Sequence, residues 1–190
     1  MIGPDAVQPK GRAGGMMREK AVSIEIVRDL DRVPGWIDMQ RDYLDYAIER
    51  HRVISGQTVD AVDQLCQTVA HIGDVLGPGG RFLAAFDEKD RLVGMVLLYR
   101  LTNGKGEVKR LFVRPDARRM GVAQKLMRRL EAEAVAMGCT ALYLDTSAGL
   151  DAAIRFYEKL GFAGTAFDAA SQQDPEIAKH LVIMEKPLVS

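Results

Sequence analysis

Hydrophobic and polar residues change their period several times along this chain, and each change predicts a new element. The segment 22–28, VSIEIVR, alternates and is β-branched, which indicates a first strand. Apolar residues then recur at helical spacing over 36–50 and again over 58–69, which predicts two helices. Glycine and proline residues at 77–80 end this helical region.

The second half of the chain is predicted to continue one sheet. Two apolar segments, 81–86 and 91–101, flank a polar Asp-Glu-Lys-Asp turn and predict an antiparallel hairpin. The remaining elements, in chain order, are a strand over 108–113, a helix over 121–137, a strand over 141–146, a helix over 151–160 and a strand over 182–185. This order predicts an α+β fold in three layers, with a mixed, mostly antiparallel central sheet flanked by helices.

Length and composition limit the number of domains and the kinds of partner that fit this pattern of elements. At 190 residues the chain is long enough for one well-buried core, so we predict a single domain over 21–190. The residues before it are rich in Gly and Pro and have no apolar period, which predicts a disordered leader over 1–20. Lys and Arg together number 26, as do Asp and Glu, and this neutral balance argues against nucleic acid or a membrane as a partner.

Cysteine usage and apolar run length predict a cytoplasmic protein without a metal site. Cys66 and Cys139 lie far apart and show neither Cys-x-x-Cys nor Cys/His spacing, so we expect neither a metal site nor a disulfide framework. No apolar stretch is long enough to span a bilayer, and the N-terminus lacks the apolar core of a secretory signal.

The segment 107–126 carries the clearest chemical signal in the chain. An apolar strand ends at Pro115, and an amphipathic helix begins directly after Arg118, Arg119 and Gly121. At the start of a helix, unpaired backbone N–H groups and the positive end of the helix dipole converge on one point. The pattern therefore predicts a loop that binds an anion such as a pyrophosphate.

Two motifs make this interpretation more specific. RRMGVA at 118–123 resembles the Q/R-x-x-G-x-G/A motif of the GNAT family of N-acetyltransferases, and AIRFYEKLGF at 153–162 resembles the second signature of that family. The specific part of the resemblance covers 107–162, and its topology extends over 22–187. The resemblance implies a GNAT-like acyl-CoA acyltransferase fold. It also implies transfer of an acetyl group, or of another acyl group, from acetyl-CoA to a primary amine of a small molecule or peptide by direct attack.

The resemblance also assigns residues to the coenzyme. The pyrophosphate is expected on the backbone N–H groups that follow Arg118, with added charge from Arg118 or Arg119. The pantetheine arm is expected along the strand that ends at Val113, with the N–H of Leu111 or its neighbour facing the thioester oxygen. The coenzyme-binding residues predicted in this way are Leu111, Phe112, Val113, Arg118, Arg119, Met120, Gly121, Val122, Ala123 and Gln124.

Two residues match catalytic positions of the family. Tyr157 matches the tyrosine near the coenzyme sulfur, where a phenol acts as general acid on the leaving thiol. Glu107 matches a glutamate that some members use as general base, whereas other members deprotonate the amine through an ordered water. Leu150 stands where the family often has Asn, which removes one expected contact to the coenzyme.

Each of these assignments has a structural alternative. Tyr157 also fits a core aromatic residue of an amphipathic helix, and Glu107 also fits an ordinary exposed carboxylate of a strand. Four carboxylates of the first predicted helix share one face, which either attracts a cationic amine or is simply solvated. They are Asp38, Asp42, Asp45 and Glu49.

Two alternatives to an enzyme are compatible with parts of the sequence. A sensor or regulatory module on the same fold would bind acyl-CoA without turnover. A nucleic-acid-binding module would use the arginines over 110–129, but no aromatic residues alternate with them and the net charge is zero. The resemblance implies an amine acceptor, allows a homodimer and requires no metal.

Overall fold

The structure is a computed structural model that describes residues 22–56, 58–171, 173 and 175–188, and its centre is a seven-stranded sheet. The strands are β1 (Ser23–Val27), β2 (Gly80–Phe86), β3 (Leu92–Arg100), β4 (Gly106–Val113), β5 (Ala141–Ser147), β6 (Ala163–Gly164) and β7 (Leu181–Pro187). The helices are α1 (Trp36–Ser55), α2 (Ala61–Ala70), α3 (Ile72–Leu76), α4 (Val122–Ala136), α5 (Asp151–Lys159) and α6 (Pro175–Ala178). The predicted leader over 1–20 lies outside the described residues.

The strand order across the sheet is β1-β2-β3-β4-β5-β7-β6. Among the described strands, β4 and β5 run parallel and all other neighbours are antiparallel. A parallel pair needs a long crossover connection, which α4 supplies here. The predicted α+β fold, with a mixed, mostly antiparallel sheet flanked by helices, is therefore confirmed.

The two faces of the sheet form separate cores because strand side chains alternate between faces. On one face, the fully buried Leu126 and Leu130 of α4 pack on a cluster that includes Leu98 of β3. On the other face, Met39 of α1 packs on a cluster that includes Phe82 of β2. The sheet is thus covered by α4 and α5 on one side and by α1 and α3 on the other.

The hydrophobic pattern did not indicate three short elements, namely α3, β6 and α6. Each has between two and five residues, which is too short for a helical or strand period to show. The second predicted helix, over 58–69, begins later, at Ala61. The Asp60 carboxylate caps it by accepting the N–H groups of Val62 and Asp63 at 2.8 and 3.3 Å.

Gly80 allows the start of β2 to pack directly on neighbouring backbone. A Cβ atom there would lie 2.5 Å from the Leu98 carbonyl oxygen and 2.9 Å from that of Asp74. Because backbone atoms cannot rotate away, we expect Gly80→Ala to lower the free energy of unfolding by about 2 kcal/mol, measured by urea denaturation. Gly79→Ala is the control, since its Cβ would lie 3.8 Å from the nearest atom. Equal losses in both variants would contradict this explanation.

Candidate active site

Strands β4 and β5 separate part of the way along their length and leave a cleft between them. Their pairing is confined to residues 106–108 of β4 and 142–144 of β5. Beyond this point β4 continues to Val113 and β5 continues to Ser147 without pairing to each other. The backbone groups of 109–113 that point toward β5 therefore form an open strand edge, which an amide-rich ligand can extend.

A β-bulge in β4 changes the direction of the side chains beside this cleft. One residue separates Met95 from Leu97 on β3, whereas two residues, Arg110 and Leu111, separate their partners on β4. Arg110 has a φ of 58°, a left-handed conformation that is uncommon for a residue with a Cβ atom. Bulges of this kind re-aim side chains next to active sites.

The loop between β4 and α4 exposes backbone N–H groups at the start of a helix. The chain takes left-handed conformations at Arg119, with φ 63°, and at Gly121, with φ 73°. The N–H of Lys125 donates to the Gly121 carbonyl at 3.0 Å, so the N–H groups of the first helical turn have no partner within the helix. No heavy atom of the described residues lies within 4 Å of a Cβ built on Gly121. An anion therefore has open access to these donors and to the helix dipole.

Arg118 is fixed beside this loop by contacts with the strand and with α1. Its Nε donates to the Val113 carbonyl at 3.1 Å. Its guanidinium carbon lies 5.4 Å from the ring centroid of Tyr46 and 5.8 Å from that of Phe112. Arg119 is exposed. Two cationic side chains thus lie next to the open N–H groups.

The predicted coenzyme-binding residues fall on one continuous path. Leu111, Phe112 and Val113 lie on the open part of β4, and 118–124 form the loop and the first turn of α4. The side chains of Phe112, Val113 and Val122 are buried in the two cores. These three residues can therefore contact a ligand through their backbone only.

Tyr157 lies on α5 with its ring in the core. It packs on Phe156 and Phe162, with ring centroids 5.5 and 5.7 Å away. Burial raises the pKa of its phenol above the ordinary value, and Tyr43 of α1 and Asp145 of β5 raise it further. The phenol therefore keeps its proton near neutral pH.

Glu107 is fully buried on β4. Its carboxylate accepts a hydrogen bond from the Ser171 hydroxyl and pairs with the Lys109 ammonium at 3.3 Å. The alternative of an ordinary exposed carboxylate is therefore wrong. A buried carboxylate requires hydrogen-bond donors or a cation to compensate for the lost water. Because Ser171 and Lys109 cover Glu107, a proton can reach its carboxylate only through these groups or through a water molecule.

Lys109 connects both strands of the cleft to the segment before β7. Its Nζ lies 3.3 Å from Glu107, 3.4 Å from Asp145 and 3.3 Å from the side-chain oxygen of Gln173. Burial by itself lowers the pKa of Lys109, but the carboxylates of Asp145 and Glu107 raise it above its ordinary value. The ammonium therefore stays charged and holds the two carboxylates in place.

Sequence reasoning missed the partners of Glu107. Lys109 shares a strand face with Glu107, so the period of two along β4 was a usable signal for that residue. Ser171 and Gln173 reach this site from 64 residues further along the chain than their partners. No local pattern reports contacts over such a separation.

The four carboxylates on the predicted acidic face of α1 are exposed. Three of them form ion pairs, which are Asp38 with Arg41 at 3.2 Å, Asp42 with Arg114 at 3.4 Å and Glu49 with Arg52 at 2.9 Å. This arrangement favours the alternative of a solvated face, because three of the four carboxylates are already paired with arginines of this chain.

The described residues contain neither a clustered set of metal ligands nor a helix suited to a membrane. Within them, no cluster of three or more His, Cys, Asp or Glu side chains is arranged to hold a metal ion. None of the helices over these residues combines the length and apolar character that a membrane crossing requires. His51 is buried and packs against His180, with ring centroids 6.0 Å apart.

Known proteins resemble this chain in sequence. The family model described as Acetyltransferase (GNAT) family matches residues 38–162, which is more than half of the chain. An IAA acetyltransferase of Azospirillum brasilense is 30% identical over 165 residues, covering 87% of this chain and 90% of that protein.

Solved structures share its fold. An acetyltransferase of the GNAT family from Staphylococcus aureus has a TM-score of 0.70 at 18% identity, covering 89% of this chain and 100% of that one. The PaiA N-acetyltransferase of Thermoplasma acidophilum, solved in complex with coenzyme A, has a TM-score of 0.64 at 19% identity, covering 87% and 99%. The family-model match and the 30% identical relative show that the chain belongs to the GNAT acetyltransferase family, which confirms the predicted acetyl-CoA-dependent N-acetyltransferase.

Proposed function

We propose that this enzyme acetylates a primary amine of a small molecule or peptide by direct attack on acetyl-CoA bound between β4 and β5. The observation that carries the proposal is the cleft itself. The open edge of β4 ends at a loop whose backbone N–H groups are free of helical partners, so amide-binding and phosphate-binding surfaces are continuous.

Different segments along this path bind different parts of the coenzyme. Backbone groups of 109–113 pair with the amides of the pantetheine arm, as a neighbouring strand would. The N–H groups of 119–124 receive the pyrophosphate, with charge supplied by Arg118 and Arg119. Gly121 permits close approach because it has no side chain over the loop.

The chemistry requires one bond to form and one to break. The acceptor nitrogen attacks the thioester carbon, the carbon–sulfur bond breaks, and the nitrogen loses a proton. The N–H of Leu111 or its neighbour at the bulge stabilises the oxyanion that forms on the carbonyl oxygen. Tyr157 donates its phenolic proton to the departing sulfur, which it can do because burial keeps the phenol neutral.

Glu107 is proposed to take the amine proton through a water molecule. We expect Glu107→Gln to lower kcat/KM about tenfold near neutral pH, with a smaller defect in alkaline buffer, where more of the amine is already deprotonated. Steady-state rates across a pH series measure this. Asp145→Asn is the matched variant, since both carboxylates contact Lys109. A pH-dependent defect in Asp145→Asn together with a pH-independent one in Glu107→Gln would assign the base to Asp145 instead.

The proposed function is tested by titrating the protein with acetyl-CoA in a calorimeter and then screening for thiol release. The screen covers polyamines, amino acids, aminoglycosides and short peptides. We expect binding in about the micromolar range and thiol release with at least one of these amines. Binding without release on any amine would favour a non-catalytic sensor. No binding of acetyl-CoA would contradict the proposed coenzyme path.

A further inference from the structure

Arg110 differs from the other basic side chains near the cleft because it is partly buried and has no anionic partner among the described residues. Its Nη2 donates to the Thr68 hydroxyl at 3.0 Å, and its guanidinium carbon lies 5.2 Å from the ring centroid of Tyr43. Both partners are uncharged. By contrast, Lys109 has two carboxylate neighbours and Arg114 pairs with Asp42.

The contacts of Arg110 hold its guanidinium in one orientation. The Thr68 hydroxyl donates to the Gln64 carbonyl at 2.9 Å, so it offers a lone pair to Arg110. The Tyr43 ring lies against the guanidinium, and that ring is itself packed edge-on against Phe112. One hydrogen bond to Thr68 leaves most of the guanidinium donors unused. A partly buried cation with unused donors is stabilised by a carboxylate or a phosphate.

The bulge sends this guanidinium to the α1 and α2 side of the sheet. Thr68 belongs to α2 and Tyr43 to α1, and Arg110 reaches both from its left-handed position on β4. The next residue, Leu111, is the proposed source of the oxyanion N–H. The predicted pyrophosphate loop lies further along the chain, beyond the end of β4, where Arg118 and Arg119 serve it. The anion that Arg110 binds therefore belongs to the acceptor rather than to the coenzyme phosphates.

We infer that the acceptor is an amino carboxylate, such as a free amino acid, whose carboxylate group is bound by Arg110. This inference rests on the proposed acetyl transfer to a primary amine. In such a molecule a short carbon chain joins the attacking nitrogen to the carboxylate. Planar guanidinium and carboxylate groups form paired hydrogen bonds, so binding at Arg110 fixes the direction from which the nitrogen approaches the thioester.

The inference is tested by product binding to the CoA-loaded enzyme. N-acetylated amino acids with acidic, basic, apolar and aromatic side chains are titrated calorimetrically beside the carboxamide of each. We expect at least one acid to bind about tenfold or more tightly than its amide, because only the acid offers the charged partner. Equal binding of all acids and amides, or no binding by any acid, would overturn the inference without the need for a variant.

Two variants then assign the effect to a residue. Arg110→Gln should remove the preference for the acid while the affinity for CoA stays within about twofold. Arg114→Gln, on the same segment but paired with Asp42, should keep the preference. An unchanged preference in Arg110→Gln would also overturn the inference. If the inference fails but amines that lack a carboxylate still give thiol release, the proposed acetyl transfer stands. If no amine gives thiol release, both the proposed acetyl transfer and the role of Arg110 are contradicted.

Discussion

Replacing Tyr157 by phenylalanine is expected to lower kcat by about a hundredfold to a thousandfold, because general acid catalysis supplies a factor of this size. The substitution removes the hydroxyl only, and the ring keeps its packing against Phe156 and Phe162. Affinity for acetyl-CoA should therefore stay within about twofold of the original value. Steady-state thiol release measures kcat, and calorimetric titration measures the affinity.

The pH dependence of this defect is part of the prediction. Burial raises the pKa of Tyr157, so the phenol is protonated throughout the working range of the enzyme. The ratio of the two rates should therefore be constant between about pH 6.5 and about pH 9. A ratio that falls toward one in the alkaline part of this range would mean that the phenol ionises there, contrary to its buried position.

Tyr99→Phe is the matched control for Tyr157→Phe. Tyr99 is also a buried tyrosine, and burial raises its pKa to about 12. It lies on β3, which β4 separates from the cleft, so its hydroxyl should contribute little to turnover. Equal losses of kcat in both variants would indicate a general effect of losing a buried hydroxyl. Full activity of Tyr157→Phe would leave Tyr157 as a core aromatic residue only.

Replacing Gly121 by aspartate is expected to weaken acetyl-CoA binding by about a hundredfold, equivalent to about 2.7 kcal/mol. The new carboxylate would lie over the N–H groups proposed for the pyrophosphate and would repel it. The left-handed φ of 73° at this N-cap position adds a backbone cost of about 1–2 kcal/mol, which is small enough for the fold to persist. Calorimetric titration with acetyl-CoA measures the loss, and thermal unfolding checks the fold.

Gly138→Asp provides a control on the same helix. Gly138 follows the other end of α4, has a similar φ of 72°, and likewise has no described heavy atom within 4 Å of its built Cβ. Both variants carry the same backbone cost of about 1–2 kcal/mol for a left-handed residue with a side chain. Only the change at Gly121 should alter acetyl-CoA affinity. A similar loss of affinity in Gly138→Asp would trace the effect to backbone strain and not to the phosphate loop.

The order of the main elements was readable from the sequence because their periods are strong. The helix predicted over 121–137 is found over Val122–Ala136, with Leu126 and Leu130 on its buried face. The first family motif is also a local feature, because residues 118–121 form the short loop directly before α4. The single domain over 21–190, the cytoplasmic location and a homodimer stay predictions.

Hydrophobic period, glycine positions and the two family motifs were sufficient for the fold class, the family and the position of the loop before α4, whose binding of an anion stays a prediction. These depend on neighbours in the chain, whose spacing the sequence states directly. The burial of Glu107 under Ser171, the contacts of Lys109 and the direction of Arg110 were decided only when distant segments packed together. Whether a charged side chain is solvated, paired or left without a counter-ion depends on the groups that surround it in space, and that environment determines which residues act on the substrate.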